Sequence, residues 1–331
     1  MSSESILPYF HPTTVVVVDD NKLFLHTLDL RMPAEMAYEL FDDPRAALSR
    51  VNQRLDLRTI PERCVQRDKA QHPGVVEIDL SLIEEEIKHT DRFRRTSVVI
   101  VDYAMPQMDG LEFCASIADP TVKKVMLTGV ADEKSAVKAF NDGLIDRFIS
   151  KNDSTTLDLV VAFAQDLQRA YFVDQQRILQ TSLNLEPPSF LLDAAVHEYF
   201  EAIRRRMNCV EHYLVAEPPG FVMVAPDGDL TLLVILSDED VAAGIAFSRQ
   251  FGAPSNVIRE LSERRKVGYF YERPGFGTEE YRWSDYLYDA IHIHGATSWL
   301  AALVRRPPTD IDFDPTTACY RAYLEQIDHG V

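Results

Sequence analysis

The sequence predicts an α/β chain: a doubly wound parallel sheet of five strands, then a long helix and a second domain of α+β type. Three observations predict it. Short apolar, β-branched runs alternate five times with helix-like segments over roughly the first 150 residues, the signature of a parallel sheet covered on both faces. Four of these runs end in polar residues. The second half changes character to apolar runs joined by turn residues and flanked by helical patterns.

Thr14 to Val18 is a continuous run that suits a strand buried on both faces and ends in Asp19-Asp20-Asn21. Lys22 to Arg31 reads as a helix with Leu23, Leu25, Leu28 and Leu30, stopped at Met32-Pro33. Tyr38 to Phe41 is the second strand, and Pro44 to Gln53 the second helix with proline in its first turn. Ser97 to Val101 ends in Asp102, Lys124 to Leu127 in Thr128, and Asp146 to Ile149 just before Lys151. Helices fit over Asp109 to Ala118 and Asp132 to Asn141, the latter stopped by Gly143. Residues 54–96 are too long for a simple connection and read as a partly helical insertion around Leu80 to Lys88, either a surface elaboration or a partner-docking or dimer-making element.

From Asp153 or Ser154 a helical pattern runs without a breaker to Pro187-Pro188. If continuous to Leu183 it is about 45 Å long, more than a closing helix needs, so it is expected to protrude and connect two domains, although Asp174 interrupts its apolar stripe and leaves packing against the second domain as the alternative. The expected organisation is a first domain at 13–153, a connecting helix at 154–184 and a second domain at 185–331. In the last, Ser189 to Arg206 reads as helix, and His212 to Ala216, Phe221 to Ala225 and Leu230 to Leu236 as strands, the final two joined by a Pro226-Asp-Gly-Asp turn. Helices are expected over Asp238 to Gln250, Ser255 to Lys266, Tyr286 to Val304 and Thr316 to Ile327, with an aromatic, Gly/Pro-rich stretch from Tyr269 to Trp283.

In a doubly wound sheet, ligands sit at the carboxyl ends of the strands near the point where strand order reverses. Asp19, Asp20, Asp102, Thr128 and Lys151 all follow predicted strands, so one rim would gather three carboxylates, a hydroxyl and an ammonium. Taken singly, each has a plainer role as helix cap, turn residue or solvated charge; together at four strand ends they define a candidate site.

Four motifs, VVVVDDN (15–21), VIVDYAMPQMDG (99–110), MLTG (126–129) and FISK (148–151), give the chain its resemblance to the receiver domains of two-component response regulators. The resemblance covers about residues 13 to 170 apart from the insertion, and implies a flavodoxin-like fold that is phosphorylated from a sensor histidine kinase or phosphotransfer protein. It makes Asp102 the phosphoacceptor, Asp20 a direct Mg²⁺ ligand and Asp19 a ligand mainly through water, with the Ala104 carbonyl completing the set. Thr128 becomes the switch hydroxyl, Phe148 the aromatic that follows it, and Lys151 the phosphate-binding cation. The physical logic is that an anionic nucleophile must approach an anionic phosphoryl group, which requires cations between and around them. No enzymatic activity is implied beyond Mg²⁺-dependent self-phosphorylation and dephosphorylation. Receivers usually carry proline after this lysine, in a cis peptide; Asn152 stands here, so either a non-proline cis bond forms or the loop differs.

The formal net charge of −18 disfavours non-specific binding to nucleic acid or anionic lipid, and residues 171–331 carry 14 Lys+Arg against 24 Asp+Glu. Neither a helix-turn-helix, a GGDEF-like motif, a P-loop nor a nucleophile elbow is evident in that half. Four dispersed cysteines suggest reduced thiols, and the sequence reads as cytoplasmic, with no membrane span. His292 and His294, and Asp310, Asp312 and Asp314, lack a second ligand cluster at a diagnostic spacing, and the basic triplets 204–206 and 264–266 read as solvated helix faces.

A receiver, a long helix and an α+β output together resemble Lqs-type or Phc-type quorum-sensing response regulators. The expectation is a homodimerising switch whose output engages a protein partner; the alternative is a transcriptional regulator whose output binds DNA or a small ligand.

Overall fold

The computed structural model describes residues 6–53, 60, 83, 85–129, 132–183, 188–270, 281–307 and 314–327. These divide into two compact units, one drawn from residues 11–75, 89–183 and 316–331, the other from 1–10, 76–88 and 184–315.

The first unit is built on a five-stranded parallel sheet of β2 (Thr14–Val18), β3 (Tyr38–Phe41), β4 (Thr96–Asp102), β5 (Lys123–Thr128) and β6 (Arg147–Ser150), in the order β3-β2-β4-β5-β6. The run of valines in β2 is explained by its two buried faces. Val15 and Val17 join Val98, Ile100, Val125 and Leu127 in one core, under Leu25 and Leu28 of α1 (Lys22–Asp29) and Val160, Ala164 and Leu167 of α5 (Thr156–Leu183). Val16 and Val18 point the other way, to Val99, Val101 and Met126. That face is covered by α2 (Pro44–Val51), α3 (Gly110–Ala115) and α4 (Glu133–Asn141), through Ala47, Phe113 and Ala136. Strand order reverses between β2 and β4, which places the loops after Val18 and Asp102 side by side at the carboxyl rim.

The long helix forms over nearly the whole predicted span, but its first five turns do not protrude. Tyr171, Phe172, Gln175 and Gln176 are buried. The Gln168 amide donates to the Thr13 carbonyl at 2.8 Å, and Gln175 donates to the Thr121 hydroxyl at 2.9 Å. Asp174, which breaks the apolar stripe, is paired with Lys123 of β5, and Lys123 also lies 3.6 Å from Asp146. An acidic residue inside the stripe thus marks a contact to the sheet rather than a free helix.

The expected boundary of the output domain at 185–331 does not hold at its C-terminal end. The final helices, α9 (Pro315–Ala318) and α10 (Tyr320–Gln326), lie at the amino rim of the parallel sheet, opposite the candidate site. The Thr14 hydroxyl donates to the Phe93 carbonyl at 2.8 Å, so the Tyr323 hydroxyl, 2.6 Å away, donates to Thr14. Tyr320 accepts from the Ala37 amide at 2.8 Å and donates to the Glu35 carbonyl at 3.0 Å. Fully buried Arg92 donates to the Ala318 and His89 carbonyls at 2.8 and 2.9 Å. Arg92 and Phe93 end the insertion, most of which, including the Leu80 to Lys88 helical reading, falls outside the described residues apart from a short 3₁₀ turn at Glu85–Lys88.

The second unit contains a six-stranded antiparallel sheet in the order β1-β7-β8-β9-β13-β12, built from β1 (Tyr9–Phe10), β7 (Glu211–Val215), β8 (Gly220–Val224), β9 (Leu230–Leu236), β12 (Ile291–His294) and β13 (Ser298–Arg305). β10 (Lys266–Gly268) pairs separately with β11 (Leu287–Asp289). Helices α6 (Ala194–Arg206), α7 (Asp238–Gln250) and α8 (Ser255–Ser262) complete it. The expected hairpin between β8 and β9 is present. The helix expected over Tyr286 to Val304 is instead β11 to β13. A short continuous apolar run such as Trp299 to Val304 fits either a buried helix or a central strand, and here β13 is buried between β9 and β12. The two-residue edge strand β1, too short to carry a pattern, precedes the parallel sheet in the chain.

Buried Asp193 ties this unit together. It caps α6 by accepting from the Ala195 amide at 2.9 Å, and it accepts from the Ala296 amide and the Trp299 indole, both at 3.0 Å, linking the helix to the β12–β13 turn. Gly295 is required beside it, since a Cβ there would lie 2.0 Å from the Asp193 Oδ1. Burial alone would raise the Asp193 carboxyl, but the hydrogen bonds from Trp299 and the three backbone amides hold it below the usual 3.8. Such a group contributes stability above its unfolded pKa that is lost as pH falls through the lower folded value. Asp193→Ala is expected to cost about 2 kcal/mol in denaturant unfolding. Asp193→Asn is expected to show a weaker loss of stability than the wild type below about pH 4; equal acid sensitivity would refute this account.

Candidate phosphoacceptor site

The local sequence explains why the three aspartates are free for chemistry. The cap of α1 is Asn21, whose side chain accepts from the Leu23 and Phe24 amides at 3.1 and 3.2 Å. Neither Asp19 nor Asp20 is spent on that task. Asp19 accepts from the Asn21 amide at 2.9 Å through one oxygen, leaving Oδ2 directed elsewhere. After β4 the chain turns through Tyr103 to Asp109, which caps α3 by accepting from the Glu112 amide at 2.7 Å. Gly110 follows because a Cβ there would lie 2.5 Å from the Asp102 carbonyl and 2.7 Å from the Met126 sulfur. The Asp-Gly pair thus lets α3 begin directly against the residue that carries the candidate nucleophile.

Lys151 converges on the same point. Its ammonium lies 2.6 Å from Asp19 Oδ2 and 2.8 Å from Asp102 Oδ1, bridging the two carboxylates. Asp19 is fully buried, and Lys151 is only 23% exposed. Burial pushes the Asp19 carboxyl above its usual value, opposed by the hydrogen bond and charge of Lys151. One carboxylate oxygen from each of Asp19, Asp20 and Asp102 lies within 4.8 Å of the others, with Asp20 at the solvent-exposed edge. A compact set of hard oxygen donors with an open side fits a divalent cation such as Mg²⁺.

Thr128 ends β5 on the same rim and is buried, with its hydroxyl directed to the Ile149 carbonyl at 3.4 Å, a long contact. The Lys151 amide donates to the Thr128 carbonyl at 2.8 Å, so these two residues are joined through the backbone. Phe148 is partly exposed on β6 and packs edge-on against Phe140, ring centroids 6.3 Å apart. Ala104 lies exposed in the loop just after Asp102. The geometry therefore brings Asp19, Asp20, Asp102 and Lys151 together, with Thr128 and Ala104 adjacent.

The Lys151–Asn152 bond is trans; among the described residues only Glu217–Pro218 is cis. Of the two alternatives that Asn152 left open, the non-proline cis bond is not the one formed. Two residues outside the motifs also touch this site: Phe24, whose ring lies 5.1 Å from the Lys151 ammonium, and Thr156, whose hydroxyl closes the Lys151 loop. The apolar spacing of α1 includes Phe24 but does not distinguish it from a core residue, and Thr156 sits outside any recognisable string.

Elsewhere, His292 and His294 are exposed on the edge strand β12, with His292 in contact with the Arg264 carbonyl at 3.1 Å. Arg204 pairs with Glu201 on α6, as expected of a solvated helix face, whereas the helix expected to Lys266 ends at Ser262, so Arg264 and Arg265, paired with Asp238 and Glu260, lie in the turn before β10. Of the acidic comb, Asp310 and Asp312 lie outside the described residues. No described helix is long and apolar enough to cross a membrane.

A parallel sheet in this strand order, with an acidic cluster and a lysine at its carboxyl rim, is the architecture of a response-regulator receiver. The response regulator receiver domain family matches residues 67–162. That match begins beyond β2 and β3, and the structure supplies both to the same sheet. The response regulator LqsR of Legionella pneumophila is 32% identical, with 98% of this chain and 96% of that one covered at a TM-score of 0.76. The chain belongs to the two-component response regulators, with both its receiver and its second domain similar to those of LqsR. A signal receiver domain of an HD domain-containing protein from Pseudomonas fluorescens Pf-5 is 23% identical over 48% of this chain and 99% of that one, at a TM-score of 0.31. No curated protein sequence matches the chain.

The Lys151 bridge generates a stability test. Lys151→Ala strands a fully buried carboxylate and is expected to cost about 3 kcal/mol at neutral pH. Adding Asp19→Asn should recover much of that loss, a coupling that denaturant unfolding of the two single variants and the double variant measures directly. Strict additivity would show that the pair is not coupled.

Proposed function

We propose that the protein is a cytoplasmic, phosphorylation-driven switch in which Asp102 accepts a phosphoryl group from a sensor histidine kinase or phosphotransfer protein. The observation that carries this reading is the position of Lys151, held between Asp19 and Asp102 beside exposed Asp20. An Asp102 carboxylate oxygen attacks phosphorus, an acyl phosphate forms, and the bond to the donor breaks. Lys151, already 2.8 Å from Asp102, balances charge on a phosphoryl oxygen. Asp20 directly, Asp19 mainly through water, Asp102 and the Ala104 carbonyl would hold Mg²⁺, which would supply positive charge against the remaining negative charge of nucleophile and phosphoryl group. The Thr128 hydroxyl exchanges its long contact with Ile149 for the phosphoryl group, and Phe148 follows inward, as a local charge event with a wider conformational readout.

The readout is a change in dimerisation or in the contacts of the second domain with a protein partner. The excess of acidic over basic residues in that half favours a protein over DNA. Similarity to LqsR along the whole chain supports placing the switch in quorum-sensing signalling.

Incubation with Mg²⁺ and acetyl phosphate is expected to give a phosphorylated species by intact mass and a change in oligomer size by light scattering, both absent in Asp102→Asn. Equal behaviour of wild type and Asp102→Asn would end this reading. Millimolar Mg²⁺ alone should raise the Tm of the wild type by a few degrees, and Asp20→Asn should largely abolish the shift. An undiminished shift in that variant would remove Asp20 from the ligand set.

A further inference from the structure

Lys151 must hold its ammonium against Asp102, yet Asn152 after it imposes no backbone restriction of the kind a proline ring supplies. The loop is instead fixed by hydrogen bonds. The Thr156 hydroxyl, buried at the first residue of α5, lies 2.7 Å from the Ser150 carbonyl and 2.7 Å from the Asp153 carbonyl. These carbonyls flank the Lys151-Asn152 pair on either side, so one hydroxyl proton shared between them clamps the dipeptide. The Asp153 amide also donates to the Ser150 carbonyl at 3.2 Å, closing the same turn. Asp153 in turn accepts from the Thr155 amide at 2.8 Å and the Thr155 hydroxyl at 2.7 Å, rigidifying its C-terminal half. The Lys151 amide is tied to Thr128, and Phe24 lies beside the ammonium.

We infer that Thr156 is a positioning residue for the phosphotransfer chemistry, its hydroxyl setting the backbone from which Lys151 reaches Asp102. The inference rests on the phosphoacceptor reading of Asp102. It follows because a misplacement of a charged group by about 1 Å can cost on the order of 100-fold in rate, and the hydroxyl spans the two backbone atoms that fix where the lysine stem begins.

The test uses the full chain with Mg²⁺ and acetyl phosphate, following phosphorylated protein by intact mass at a temperature where circular dichroism shows every variant folded. Thr156→Val keeps the side-chain shape and removes the hydroxyl; Thr156→Ser keeps the hydroxyl and removes the methyl group. The expected result is labelling slowed about tenfold or more by Thr156→Val and restored to within about twofold by Thr156→Ser. Should Thr156→Val not fold, Thr156→Ala against Thr156→Ser makes the same comparison. Labelling of the hydroxyl-free variant at the wild-type rate, or a serine variant as slow as it, overturns the inference while the Asp102 reading stands. A wild type that does not label, or labels as Asp102→Asn does, overturns both.

Discussion

The ammonium of Lys151 between two buried or nearly buried carboxylates is the constraint on which the receiver unit depends. Asp19 has no exposure to water, and a carboxylate in that position is tolerated only with a cation and hydrogen-bond donors around it. The structure meets that demand with one lysine just after the last strand and one amide from Asn21. A site under such tension is sensitive to the charge of Asp102, which the same ammonium contacts at 2.8 Å.

The sheet makes that tension affordable. Two apolar cores, one on each face, anchor the strands so firmly that their carboxyl ends can carry unfavourable charge in close proximity. At the opposite rim the polar ends of the strands are closed by Thr13 and Ser97, Thr14 and Tyr323, and Arg50 with Glu39, the last pair 2.8 Å apart. One end of the sheet is thereby sealed and the other kept chemically available.

Much of this was legible in the sequence. The valines of β2 and β4 announced strands buried on two sides, and the polar residues that ended each run fell on one rim as expected. Other features lacked a local signal. The Thr156 hydroxyl meets two carbonyls of a kind any sequence possesses, and Asn152 left both a non-proline cis bond and a different loop open. Trp299 to Val304 is equally apolar as helix or strand, and pairing with β9 decided it. Asp174 looked like a flaw in an apolar stripe until its lysine partner on β5 was known. Long-range partners, rather than local propensity, account for these differences.

The placement of β1 and α10 bears on how such a protein can evolve. Residues before the receiver complete the sheet of the second unit, and residues after that unit close the sheet of the receiver. A gene segment cut at the nominal border near residue 184 would carry away the receiver's cap and leave behind an edge strand. Neither half is thus a cassette that recombination can move intact to a new partner, as a receiver and output joined by a single linker could be. Inheritance of the two units together, as one piece, is what this threading favours.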